Sequence, residues 1–285
     1  MLKKSLVACI VVMLVMTGCT TADKAKEKVK ETTETVAEEV DFGVFTGMSA
    51  SKVLKLKKHY TTMVVDASEF SKKQITALHK KADKIYTYLN IGSIEKNRSY
   101  YSKFKSIRIG KYPEWKDEYF VNVANKYWYS YITKTVAKNL KNKGIDGFFI
   151  DNCDVYYYKK TKKIYNGLLK ILTKLKDYKL PVMINGGDTF VTHALEKKEL
   201  TGLVNAVCQE DVFTAYNFKT KTSAKQATET STYYKNYLSK CQEAGLNVFI
   251  IEYTKSTDWK SVIKAYCHTH DYIYYCAPSI NLDKE

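Results

Sequence analysis

Two carboxylates close an apolar run delimited by glycines: Gly144-Ile145-Asp146-Gly147-Phe148-Phe149-Ile150-Asp151-Asn152-Cys153-Asp154. A short apolar segment between turn signals suits a strand buried on both faces, so a carboxylate at its last position emerges where the strand leaves the core. The same design recurs in Met63-Val64-Val65-Asp66, Tyr86-Thr87-Tyr88-Leu89-Asn90, Val182-Met183-Ile184-Asn185, Ala206-Val207-Cys208-Gln209-Glu210 and Val248-Phe249-Ile250-Ile251-Glu252. Several acids gathered at strand exits, with no histidine beside them, suit hydrolysis of a glycosidic bond. That chemistry needs one carboxyl at the anomeric carbon and a second at the leaving oxygen, about 5–5.5 Å apart where configuration is retained. Asp151 and Glu210 are the expected pair, Asp151 as nucleophile and Glu210 as acid and base. Asp154 is a rival for the first role and Glu252 for the second. Asp66, Tyr88, Asn90, Asp154, Asn185, Glu252, Tyr253 and Trp115 are the expected sugar contacts, with Tyr100 and Tyr101 as further candidate walls, because flat rings cover the apolar faces of sugars.

Strands that alternate with helix-spaced segments imply a parallel sheet. Phe42 to Thr46 at the front and Tyr272 to Cys276 at the back bring the count to about eight units, the number that closes a (β/α)8 TIM barrel. The predicted helices include 71–81, opened by the capping Ser71, 161–175 with Ile164, Leu168, Ile171, Leu172 and Leu175 on one face, and 231–244, stopped by Gly245. About fifty residues separate the third strand from the fourth, far more than a βα connection needs, so an elaborated loop is expected over the mouth. The stretch 214–230 reads as a polar loop.

The first residues carry a different signal. Lys3 and Lys4, the apolar stretch from Leu6 to Met16, and Thr17-Gly18 before Cys19 resemble a bacterial lipoprotein signal, with Met16 in place of the usual leucine. The resemblance implies removal of residues 1–18, lipidation of Cys19 and an extracytoplasmic protein anchored to the cell membrane. Residues 19–41, rich in Lys, Glu, Thr and Ala and without aromatics, read as a solvated tether. The domain then spans 42–285.

The 285-residue chain carries 46 Lys and Arg against 30 Asp and Glu; setting aside six lysines and seven acids in the first 41 residues leaves 40 and 23, a net charge of +17. The lysines are spread along helices such as 134–143 and 159–176, which makes a solvated surface the plainer reading. Nucleic acid is disfavoured, because Arg98 and Arg108 are the chain's two arginines and arginine supplies most specific base contacts. Cys153, Cys208, Cys241, Cys267 and Cys276 are odd in number and show no CxxC spacing, against a zinc knuckle or disulfide framework. Asp151, Asn152 and Asp154 lack the glycine and terminal glutamate of a calcium loop, and no phosphate-binding glycine motif is present. No metal or cofactor is expected, and a monomer is.

Val64-Val65-Asp66, Tyr86 to Glu95, Gly144 to Asp154, Val182 to Gly187, Val207 to Phe213 and Ile251-Glu252-Tyr253, in that order, resemble glycoside hydrolase family 114, the endo-α-1,4-polygalactosaminidase group. The resemblance implies a retaining endo-glycosidase acting on a galactosamine-containing polysaccharide, with its nucleophile at Asp151 and its acid/base at Glu210. The chain departs from the family pattern at Glu252, where an aspartate is expected, and at Ser93, where an acidic residue is expected. The alternative is a lipid-anchored barrel that binds glycans without cleaving them.

Overall fold

A computed structural model describes Glu39–Glu285; the signal segment, Cys19 and the tether through residue 38 lie outside the described residues. The strands are β1 Glu39–Phe45, β2 His59–Val65, β3 Ala82–Asn90, β4 Ser93–Glu95, β5 Arg108–Lys111, β6 Glu118–Val121 and β7 Gly147–Asp151. They continue with β8 Val182–Asn185, β9 Ala206–Glu210, β10 Thr214–Asn217, β11 Thr222–Lys225, β12 Asn247–Tyr253 and β13 Ile273–Ala277. Eight of them form one parallel sheet in the order β1-β2-β3-β7-β8-β9-β12-β13, with helices between. This is the (β/α)8 barrel. The first strand starts at Glu39, so the last three residues assigned to the tether belong to the barrel.

The barrel strands are nearly continuous apolar runs because both faces are covered. Phe148, Phe149 and Ile150 of β7, Met183 and Ile184 of β8, and Val207 and Cys208 of β9 are all buried. Each large side chain so buried stabilises the fold by about 1.5–3 kcal/mol relative to exposure. Outside the sheet, the helix Lys162–Lys176 turns Ile164, Leu168, Ile171, Leu172 and Leu175 inward while Thr161 accepts the Ile164 N–H at its start. The helix Lys72–Leu78 opens with Ser71 and Gln74 satisfying each other's backbone N–H groups. The ring closes between β1 and β13 through side chains. Phe42 meets the rings of Phe249 and Tyr275, and Phe45 meets Tyr275, but no hydrogen-bonded ladder joins β1 and β13 among the described residues.

Two decorations sit on the connections. The long stretch after β3 folds into a three-stranded antiparallel sheet, β4-β6-β5, that covers part of the mouth. The stretch expected to be a polar loop after β9 is a hairpin of β10 and β11 instead. Its polar residues satisfy their backbone groups by pairing with one another, which an apolar-pattern reading does not detect.

Candidate active site

Three strand exits converge on one amide. Asn185 Nδ2, at the end of β8, donates to Asp151 Oδ1 from β7 at 3.1 Å and to Glu210 Oε1 from β9 at 2.7 Å. Those two bonds leave the two carboxylate oxygens at most 5.8 Å apart. Tyr253, at the end of β12, donates its hydroxyl to the other oxygen of Glu210 at 2.6 Å. All four residues line a cavity of about 300 Å³ at the carboxyl end of the barrel strands.

The local backbone explains how three neighbouring strands aim inward at one point. Each of the three leaves its strand through a left-handed residue immediately after the functional side chain: Asn152 at φ 65°, Gly186 at φ 60° and Asp211 at φ 56°. Asn and Asp tolerate that region better than other side chains, and Gly enters it without penalty. Gly187, at φ 66°, extends the turn after β8, and a Cβ there would lie 2.5 Å from Cβ of Cys153. The turn is therefore packed against the loop that follows Asp151.

The cavity is acidic. Asp66, Glu95, Glu118, Asp151 and Glu210 line it, with Arg98 as the one cation among its lining residues. Arg98 donates to Asp66 Oδ2 at 2.7 Å and to Glu95 Oε1 at 2.9 Å, and the Tyr88 hydroxyl donates to the same Glu95 oxygen at 3.0 Å. Glu118 arrives from β6 of the covering sheet. Its Oε1 accepts from Asn90 Nδ2 at 3.0 Å, from Asn152 Nδ2 at 2.8 Å and from the Ser93 hydroxyl. The position where Ser93 departs from the expected acid is thus served by a carboxylate from another element.

Burial dominates the ionisation of these groups. Asp151 is pushed well above the ordinary aspartate range, first by burial, then by the charges of Glu118 and Glu210, against the hydrogen bond from Asn185. Glu118 is raised by burial, with the bonds from Ser93, Asn90 and Asn152 working the other way. Asp211, behind Glu210, is pushed up to about 7 by burial and by Glu210 and Glu252.

Most of the sequence-predicted contacts meet here: Asp66, Tyr88, Trp115, Asn185 and Tyr253 line the cavity with the expected pair. Others do not. Glu252 is fully buried, and its carboxylate accepts the backbone N–H groups of Phe213 and Thr214 and the Thr214 hydroxyl, at 2.8, 2.9 and 2.6 Å. It holds the base of the hairpin and cannot touch substrate or donate a proton to it. Asp154 accepts the Gly187 N–H at 3.2 Å, fixes the turn that carries Asn185 and is not among the residues that line the cavity. Asn90 is buried behind Tyr88 with both ends of its amide engaged. Tyr100 packs on Phe104, Trp128 and Tyr131, and Tyr101 on Tyr119 and the Arg108 guanidinium, which makes them braces of the covering sheet.

Glu95, Arg98 and Glu118 escaped the sequence reading. Arg98 had one usable signal, its rarity in a lysine-rich chain. Among the described residues no group of three His, Cys, Asp or Glu side chains is arranged to hold a metal ion, and no helix is long and apolar enough to cross a membrane.

Two carboxylates bridged by one amide at the carboxyl end of a parallel eight-stranded barrel have the arrangement that hydrolysis of a glycosidic bond requires. The chain belongs to the glycoside-hydrolase family GH114, whose model matches residues 23–274. Solved structures agree on the fold. The glycoside hydrolase domain of PelA from Pseudomonas aeruginosa superposes with a TM-score of 0.70 at 15% identity, over 86% of this chain and 96% of that one. Ega3 from Aspergillus fumigatus, in complex with galactosamine, gives 0.65 at 14%, over 87% and 92%. An α-galactosidase from Thermus thermophilus gives 0.53 at 9%, over 85% and 58%. No curated protein sequence matches the chain.

Proposed function

We propose that the protein is a retaining endo-glycosidase that cuts an extracellular polysaccharide containing α-1,4-linked galactosamine, anchored outside the cell through a lipid on Cys19. The observation that carries the mechanism is the Asn185 amide shared by Asp151 and Glu210. An upper limit of 5.8 Å between the bridged oxygens suits the close spacing of a retaining pair better than the roughly 6.5–9.5 Å that an inverting pair leaves for water.

In this reading an Asp151 oxygen attacks the anomeric carbon and a glycosyl ester forms as the bond to the leaving oxygen breaks. Glu210 gives its proton to that oxygen. Glu210 then takes a proton from water, the water oxygen attacks the anomeric carbon, and the ester breaks to restore Asp151. Asn185 and Tyr253 keep both carboxyls facing the reacting atoms. The substrate follows from charge: five carboxylates and one arginine around the cavity favour a sugar bearing an ammonium group. The galactosamine bound to Ega3 is in line with that choice. Salt screens the repulsion of such a polymer by the basic surface beyond about 8–10 Å, which leaves the acidic mouth to decide locally.

Release of reducing ends from galactosamine polymer by the purified protein, abolished by Asp151→Asn, is the expected result. Retention of the polymer with no cleavage at any pH would instead support a glycan-binding barrel. A second assignment exchanges the two roles, and the strong upward shift of Asp151 favours it, since a carboxyl that keeps its proton suits an acid. Trapping the glycosyl ester with a fluorinated activated galactosaminide and mapping the labelled peptide decides between Asp151 and Glu210.

A further inference from the structure

A second cavity, of about 610 Å³, adjoins the catalytic one and shares Tyr253, Ile280 and Asn281 with it as a common wall. Its chemistry is the opposite. Lys221, Lys255 and Lys284 line it, and no carboxylate does. All three lysines are exposed, and none takes part in an ion pair among the described residues, whereas Lys96 and Lys174 elsewhere pair with Asp117 and Asp177. Of the two acids that flank Lys284 in sequence, Asp283 and Glu285, neither lines the cavity, and Glu285 accepts the Tyr60 hydroxyl at 2.7 Å. The rings of Tyr216 and Trp259 complete the lining together with serine and threonine hydroxyls.

We propose that this cavity is a binding site for a negatively charged sugar unit, a uronate, within the same glycan whose neighbouring unit occupies the acidic cavity. Aromatic faces and hydroxyl donors accept any pyranose. Three ammonium groups without counter-charge select among pyranoses, because a low-dielectric wall on one side concentrates their field in the cavity and a carboxylate there gains from all three. A neutral sugar would use the rings and hydroxyls but leave that field unmatched. Tyr253 stands between the two sites, its hydroxyl on Glu210 and its ring 6.4 Å from that of Tyr216. A glycan running past Tyr253 therefore passes from a negative cavity into a positive one. The path of the glycan rests on the glycosidase reading above; the charge of the second cavity does not.

The test uses the full chain carrying Asp151→Asn, with calorimetric titration of oligogalacturonate, oligogalactosamine and N-acetylated oligogalactosamine. Oligogalacturonate is expected to bind, and Lys221→Gln, Lys255→Gln and Lys284→Gln together are expected to weaken it by about tenfold or more, as the loss of three neighbouring charges requires. The matched change Lys72→Gln, Lys73→Gln and Lys80→Gln, exposed lysines in the first turn of the helix Lys72–Leu78 and in the turn after it, is expected to leave that affinity within about twofold, because none of them lines the cavity. Equal affinity in the two triple variants overturns the proposal. So does an N-acetylated oligomer that depends on Lys221, Lys255 and Lys284 as strongly as the uronate does. Reducing-end release by the unsubstituted protein is read separately: no cleavage beside lysine-dependent uronate binding refutes the hydrolase reading alone, and cleavage without such binding refutes the uronate site alone.

Discussion

Glu118→Gln isolates the electrostatic link between the covering sheet and Asp151. Asn152 Nδ2 lies 2.8 Å from Glu118 Oε1 and 3.3 Å from Asp151 Oδ2, so those oxygens are at most 6.1 Å apart. Two unit charges at that distance repel by about 2.7 kcal/mol at an effective dielectric of about 20, and by about 0.7 kcal/mol in bulk water. Glutamine keeps the acceptor for Ser93, Asn90 and Asn152 while removing the charge. Asp151 then ionises more readily, and activity that requires its carboxylate is present above its pKa and lost below. The acid limb of kcat/KM should therefore move to lower pH by roughly half a unit to two units. The assay is initial-rate reducing-end release across the acid range for both proteins, with circular dichroism confirming an unchanged fold. An acid limb that stays in place, or moves upward, would show that Glu118 carries no charge felt by Asp151 and would refute the coupling. A basic limb that moves down instead would assign Asp151 the acid role.

Three further outcomes can be checked. Asn185→Ala removes the two hydrogen bonds that aim Asp151 and Glu210, so kcat should fall by about a hundredfold while circular dichroism shows the fold intact; loss under threefold would remove Asn185 from the mechanism. Asp211→Asn should stabilise the protein by about 1–2 kcal/mol at pH 8, since a carboxyl pushed up to about 7 makes the fold weaken as pH rises from the unfolded aspartate value toward 7; the gain should vanish near pH 4 in denaturant titrations. Gly187→Ala places a Cβ against Cys153 at a left-handed position, and a loss of about 2 kcal/mol or more in the same titration, with reduced activity through Asn185, is expected.

The barrel was legible because six of its strands are apolar runs that close on Asp, Asn or Glu, and one further apolar run at each end makes eight units, a number that admits few architectures. Asp151, Asn185, Glu210 and Asp66 were readable as strand-end polar residues. The same rule misread Glu252 for a reason that lies in the strand's period of two. Tyr253 faces the mouth, so the residue before it faces outward, toward the hairpin it anchors. Asp154 lies beyond the strand end, where distance along the chain no longer reports direction. Glu118, Glu95 and Arg98 sit in the covering sheet, whose short antiparallel strands carry weak patterns and whose partners come from far along the sequence. Glu118, for example, meets Asn152 34 residues later. The hairpin after β9 was missed because polarity alone does not separate a paired ribbon from a loop.

The seam between β1 and β13 gives the cylinder a preferred place to come apart. Seven of its eight junctions are zipped by backbone pairing, while the eighth is a press-fit of Phe42 and Phe45 against Phe249 and Tyr275. Rings that meet edge to face slide and re-seat far more easily than a ladder re-registers. Thermal breathing should therefore begin at the two chain ends of the barrel and leave β7, β8 and β9, which carry the amide and its two carboxylates, clasped until last.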